Sequence, residues 1–304
     1  MQYSRLDGLA IGLMTILCLC WGIQQVVIKI TADFVSPLLQ AGLRSAGAAL
    51  LVWLWMAWRR IPLWQRDGSL WPGLGAGLLF GTEFGLLFYG LTLTSASHAA
   101  ILLYTAPFWV ALGSHLLIPG ERIRRLQLIG LDLAFLGVLL TFAGRLQAPQ
   151  PGELIGDALM VAAAILWAAT TVLIKGSVLR AISPYKTLLY QLGVSGPLLL
   201  LGAVFSGESL AIPVTGFVIG SLAFQTVAVA AVSYLAWFWL MTRYPVSRLS
   251  AFSFLTPVFG VAGGALYLNE PLPPSLLGAL ALVALGIWLV NAPGGQAAGR
   301  ITKL

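Results

Sequence analysis

Residues 18–29 read CLCWGIQQVVIK, and residues 164–175 read AILWAATTVLIK. Each stretch sets a tryptophan eight residues ahead of a lysine inside a long apolar run. The pairs Trp21/Trp167 and Lys29/Lys175 are both 146 residues apart. Two further stretches, LLYTAPFWVALGSHLLIPGE over 102–121 and SFLTPVFGVAGGALYLNE over 253–270, put Pro107 150 residues from Pro257. Gly137 and Gly286 are 149 apart. A nearly constant offset across four features reads as one unit written twice, with residues 1–147 and 148–304 as the two halves.

The surroundings of these stretches set the medium. The chain has 304 residues, of which 59% are hydrophobic and 9% charged. Soluble domains carry about 25% charged residues because water must solvate their surface. So few charges cannot cover a water-facing fold of this length, and lipid must solvate most of the outside. Ten apolar segments are readable, at approximately 8–30, 36–58, 70–92, 97–118, 125–143, 154–177, 184–205, 214–240, 248–268 and 275–291. Each is near the ~20 residues that a hydrocarbon layer of ~30 Å requires. Five spans per half is an odd number, so the second half enters the membrane from the opposite face. The sequence therefore predicts an all-α integral membrane protein of ten transmembrane helices in two inverted five-helix repeats, an arrangement typical of transporters.

Lysine and arginine orient it. With the N-terminus inside, fourteen of the seventeen basic residues fall on the inner side or at inner helix ends, from Arg5 through Arg59, Arg60 and Arg124 to Lys303. Lys29 and Arg145 fall outside, and Arg44 lies within a span. Both termini are expected in the cytoplasm. The net charge of +7 is thus topology rather than nucleic-acid binding. Cys18 and Cys20, at i and i+2 on one helix, face different ways and are expected to form neither a disulfide nor a metal site.

The ordered set of Trp21-Gly22 with Lys29, then Pro107, Gly120-Glu121, Gly130 and Gly137 resembles the EamA-type repeat of the drug/metabolite transporter superfamily. The second half repeats it as Trp167 with Lys175, then Pro257, Asn269-Glu270, Gly278 and Gly286, with Ala168 where a glycine is typical. The resemblance covers nearly the whole chain and is nearest to bacterial aromatic amino-acid exporters. It implies ten helices and export of small metabolites by alternating access.

Charges deep in lipid cost about 2.5–3.5 kcal/mol each on insertion scales and so face the bundle or a wet cavity. Arg44 and Glu83 lie at similar depths, roughly 12–14 Å at 1.5 Å per residue, so they can pair, either structurally or as part of a binding site. Asp132 has Lys175 as a possible partner. The paired prolines Pro107 and Pro257 free backbone carbonyls in helices 4 and 9, which marks these as cavity walls and hinges. Helix 3 carries Gly73, Gly77, Gly81 and Gly85 on one face, where a neighbouring helix can approach closely while Glu83 points elsewhere. Near the midplane, Gln24, Tyr89, Tyr104, Trp109, Trp167, Gln191, Tyr234, Trp237 and Phe254 join Arg44 and Glu83 as candidate substrate contacts. Aromatic walls with isolated amides and hydroxyls suit an amphiphilic zwitterion. Trp53, Trp55, Trp58, Trp64 and Trp71 read instead as an interfacial belt. His98 reads as a hydrogen-bonding helix-end residue.

The expected function is a secondary transporter exporting small metabolites, amino acids including aromatic ones, across a bacterial inner membrane. The expected partners are a small-molecule substrate and the lipid bilayer, with no nucleic acid, no cofactor and a monomeric chain. A multidrug proton antiporter is the alternative, although the first helix has no carboxylate between Asp7 and Asp33; a passive channel is another. A membrane enzyme fits least, because the sequence has no carboxylate dyad in a loop, metal-ligand cluster or nucleophile motif.

Overall fold

The computed structural model describes residues 6–63, 65–145, 152–268 and 273–292. Trp64, the Asn269-Glu270 pair and the terminal basic residues Arg5, Arg300 and Lys303 lie outside them. Among the described residues, nine helices are long and apolar enough to cross a membrane: α1 (Gly8–Thr31), α2 (Pro37–Trp58), α3 (Leu70–Leu91), α4 (Ser97–Leu117), α5 (Arg125–Phe142), α6 (Glu153–Gly176), α7 (Pro184–Phe205), α8 (Gly216–Arg243) and α9 (Val246–Tyr267). A shorter apolar helix, α10 (Leu276–Asn291), completes the set. Odd-numbered helices in the first half run away from the side where α1 begins, here the proximal side, toward the distal side.

Small residues decide which helices meet. At the α5–α10 crossing, a Cβ on Gly130 would lie 2.6 Å from the Gly286 carbonyl oxygen. One on Gly137 would lie 2.7 Å from the Ala279 carbonyl. Both distances are well inside van der Waals contact, so the backbones touch where a side chain has no room. These are one contact seen twice: adding 149 to 130 gives 279, and adding it to 137 gives 286. The repeat's pseudo-twofold axis therefore passes through this crossing. Along α3, Gly73, Gly77 and Gly81 pack on Tyr190, Val194 and Ser195 of α7, whereas Gly85 meets nothing within 4 Å. Gly22 of α1 lies against Thr256 and Gly260 of α9.

Three helices are irregular, and side chains explain two of the breaks. α4 is interrupted at Tyr104 and Thr105, between helical segments Ala96–Leu103 and Ala106–Leu117. The Thr105 hydroxyl donates to the Leu102 carbonyl at 2.7 Å, the local bond by which threonine competes with a continuing helix. α9 passes through a 3₁₀ turn at Ala251–Phe254, where Ser253 Oγ donates to the Ser250 carbonyl at 2.8 Å. Pro107 and Pro257 thus each stand in the first turn of a second segment, rather than in mid-helix as the sequence suggested. A proline there removes no helical bond, since first-turn N–H groups have no partner within the segment. In α8, Phe224–Ser233 is π-helical, a form that elsewhere concentrates at functional sites.

The exposed Trp53, Trp55, Trp58 and Trp71 stand around the proximal α2–α3 connection. In that connection the Asp67 carboxylate accepts from Lys186 Nζ at 2.7 Å and from Ser69. The Lys186 bond, followed by the Ser69 bonds, holds the Asp67 carboxyl below the usual carboxylate range.

Candidate functional site

Between the two repeats lies a cavity of about 650 Å³, large enough for an amino acid or a compound somewhat bigger. At its distal mouth stand Lys29 of α1, Ala32 just past its end, Pro37 at the start of α2 and Thr92 just past the end of α3. Ile174 and Phe238 form its floor; the same two side chains also line a small pocket on the proximal side.

Below that floor the proximal end is tied shut around the α8–α9 junction. Lys175, 2% exposed, donates to the carbonyls of Met241 and Tyr244, the latter at 2.9 Å. A cation on the last carbonyls of a helix complements their partial negative charge. Glu121 does the converse at the start of α9, accepting from Val246 N at 3.2 Å and from Ser247 Oγ at 3.1 Å. Tyr244 donates its hydroxyl to Asp7 Oδ2 at 2.8 Å, while Asp7 caps α1 by accepting from Ala10 N. The Ala10 bond, then the Tyr244 bond, keep the Asp7 carboxyl below its ordinary range. Lys175 is therefore committed to α8, and Asp132, an exposed residue of α5, is not its partner.

The cavity wall is aromatic with a few polar fittings. Trp21 meets Tyr234 and Trp237 edge-on, with centroids 6.5 and 6.0 Å apart, and Phe80 meets Tyr234 at 5.8 Å. Trp21 Nε1 donates to Ser233 Oγ at 2.9 Å, which ties the ring to the end of the π-helical stretch. Gln25 Nε2 donates to the Tyr104 hydroxyl at 2.8 Å, across the cavity-facing sides of α1 and α4. Among the described residues, Glu83 and Lys29 are the charged side chains that line the cavity.

Of the residues singled out in the sequence, Gln24, Glu83, Tyr104, Trp167, Gln191, Tyr234 and Trp237 come together on the cavity wall, with Pro257 beside them. Arg44 sits behind that wall. It is 1% exposed, its guanidinium lies 4.5 Å from the centroid of the Phe84 ring, and its three nitrogens have no hydrogen-bond partner. It forms no hydrogen bond with Glu83, so the two act on each other through charge alone. Tyr89 and Trp109 do not line the cavity and are 60% and 36% exposed. Phe254 is fully buried against Phe108 and Phe135 in a ring cluster among α4, α5 and α9, and Pro107 is likewise core. Depth alone selected Tyr89, Trp109 and Phe254, and depth does not say which face of a helix a residue occupies; Pro107 was selected as the repeat partner of Pro257, and the cavity takes in only the latter.

Sequence reasoning passed over Trp21, Phe80 and Phe84. Trp21 was available as the repeat partner of Trp167. Phe80, Phe84 and Phe88 recur at i, i+4 and i+8, a spacing that marks one face of α3.

Comparison with known proteins agrees with this architecture. The profile of the EamA-like transporter family matches the chain twice, over residues 8–143 and 154–292. The chain is 31% identical to a protein of Salmonella typhimurium named a probable amino-acid metabolite efflux pump, over 94% of this chain and 95% of that protein. It is also 31% identical to an uncharacterized transporter of Bacillus subtilis, over 92% of this chain and 90% of that one. A solved crystal structure with 20% identity shares the fold, with a TM-score of 0.79 over 92% of this chain and 97% of that one. The chain belongs to the EamA-like transporter family, within the drug/metabolite transporter superfamily.

Proposed function

We propose that this transporter exports amphiphilic small metabolites, amino acids and aromatic amino acids foremost, across a bacterial inner membrane by alternating access. The observation that carries the reading is a cavity between inverted repeats, open at one end and closed at the other, with aromatic walls and isolated polar groups. A carrier needs such one-sided access, whereas a passive channel needs a continuous path. The names of the Salmonella and Escherichia coli relatives, both probable amino-acid metabolite efflux pumps, support the choice of cargo. The bias of lysine and arginine supports cytoplasmic termini, and the cavity then faces outward. One chain supplies both repeats, so we assign the working unit as a monomer.

The test is counterflow in proteoliposomes. Vesicles loaded with unlabelled phenylalanine should accumulate the labelled amino acid transiently, with a saturable initial rate. Linear, non-saturating flux without counterflow would refute a carrier.

A further inference from the structure

Arg44 and Glu83 are a buried pair of opposite charges, but the cavity meets only one of them. Glu83 is 6% exposed and lines the cavity, and its Oε2 has no hydrogen-bond partner. Arg44 is 1% exposed and does not line the cavity; the Phe84 ring covers its guanidinium. A carboxylate oxygen held in a low-dielectric wall without a donor is an incomplete group, and burying such an atom unpaired is costly. The side chain still lines the cavity, so a ligand that brings N–H donors and a positive charge offsets the charge of the carboxylate from that side.

The remaining wall is selective in the same direction. Trp21, Phe80, Tyr234 and Trp237 line the cavity, and an aromatic ring attracts a cation, not an anion, to its face. Glu83 lies eight residues before the end of α3, about 12 Å below it at 1.5 Å per residue. Lys29 lies two residues before the end of α1, about 3 Å below it. A zwitterion entering between them meets the negative charge deep and the positive charge at the mouth.

We infer that Glu83 is the residue that reads the substrate's ammonium group, and that the site selects protonated primary amines with an apolar or aromatic body. An amino acid binds amine end first, with its carboxylate toward Lys29. The ammonium is required and the carboxylate is dispensable. Arg44 is a positioning residue, which offsets the buried charge of Glu83 from the side the substrate never touches. This rests on the transport of amino acids proposed above and names the part of the molecule that is recognised.

The experiment is competition against labelled phenylalanine uptake in proteoliposomes, using phenethylamine, which lacks the carboxylate, and 3-phenylpropanoate, which lacks the amine. Phenethylamine is expected to compete within about threefold of phenylalanine, and 3-phenylpropanoate at least tenfold more weakly. Glu83→Gln, checked for a monodisperse gel-filtration peak, should erase the preference for the amine over the acid, and Glu83→Asp should keep the order with weaker competition. Equal competition by the two analogues in the unmodified protein overturns the inference, and that arm needs no variant to fold. Loss of amine and acid binding by the same factor in Glu83→Gln overturns it too, because a purely structural carboxylate would act on all ligands alike. Uptake of no amino acid at all, in the assay before any competitor is added, defeats the transport proposal and this inference with it.

Discussion

Gly77 and Gly85 stand two turns apart on α3, in the same glycine series, and the structure separates them cleanly. A Cβ at Gly77 would lie 2.5 Å from the Val194 Cβ and 2.8 Å from the Tyr190 carbonyl oxygen of α7; a Cβ at Gly85 would meet nothing within 4 Å. Carbon atoms rest about 3.5–4.0 Å apart, so Gly77→Ala needs roughly 1 Å of extra room. Neither obstacle can swing aside, since one is backbone and the other is fixed to it. α3 and α7 must therefore separate, and Gly73 and Gly81 lose contact along with Gly77. Overpacking of this kind costs about 1–3 kcal/mol. The helix preference of alanine over glycine offsets up to about 1 kcal/mol at both positions. Gly85→Ala should thus be neutral or slightly stabilising, and should be separated from Gly77→Ala by the full packing term. Thermal unfolding of the two detergent-solubilised variants, followed by tryptophan fluorescence, measures the gap. Equal midpoints for the two variants would refute close α3–α7 packing as the reason for these glycines.

Other outcomes follow from the closed end and the connections. Lys175→Met removes both bonds to the Met241 and Tyr244 carbonyls, so an Ile174→Cys reporter should react faster with a thiol reagent applied from the proximal side; an unchanged rate would show that these bonds do not hold the floor. Asp67 has a folded-state carboxyl pKa held below its unfolded value, so its contribution is full above the unfolded value and fades as pH falls through the folded one. The thermal midpoint of Asp67→Asn should accordingly lie below that of the unmodified protein at pH 7, and the gap should start to narrow only once the pH falls below the range in which an unfolded carboxyl titrates. Glu208 accepts from Leu38 N and Leu39 N at 3.2 and 3.1 Å, capping α2 from the other half of the chain. Glu208→Ala should cost about 0.5–2 kcal/mol, measurable in the same unfolding assay.

The spans and the inverted repeat were legible in the sequence because both rest on features that lipid forces into view, namely long apolar runs and sparse charges. The polar part of the site was legible for the same reason. A Glu83, a Gln24 or a Gln191 at membrane depth must face protein or water, and all three line the cavity. Aromatic residues carry no such constraint. Tyr89 and Trp109 are as comfortable at an exposed position as Trp237 is in the cavity wall, so periodicity could not sort them. The interruption of α4 at Tyr104 goes with a single hydroxyl bond, which no run of letters displays, and the π-helical stretch of α8 leaves no mark in the apolar run that carries it. Arg44 was legible as buried, but only the structure reveals that an aromatic ring stands between it and the cavity.

The α5–α10 crossing has a consequence for how such a machine moves. In an inverted repeat, the operation that exchanges the two halves also exchanges the open and closed ends of the cavity. Whatever lies on the axis of that operation is carried onto itself. The Gly130–Gly286 and Gly137–Ala279 contacts are images of one another, so under the alternating access proposed above this joint has the same form whichever side is open. In that proposal the joint is the stator around which the other helices turn, with backbones in direct contact at Gly130, Gly137 and Gly286.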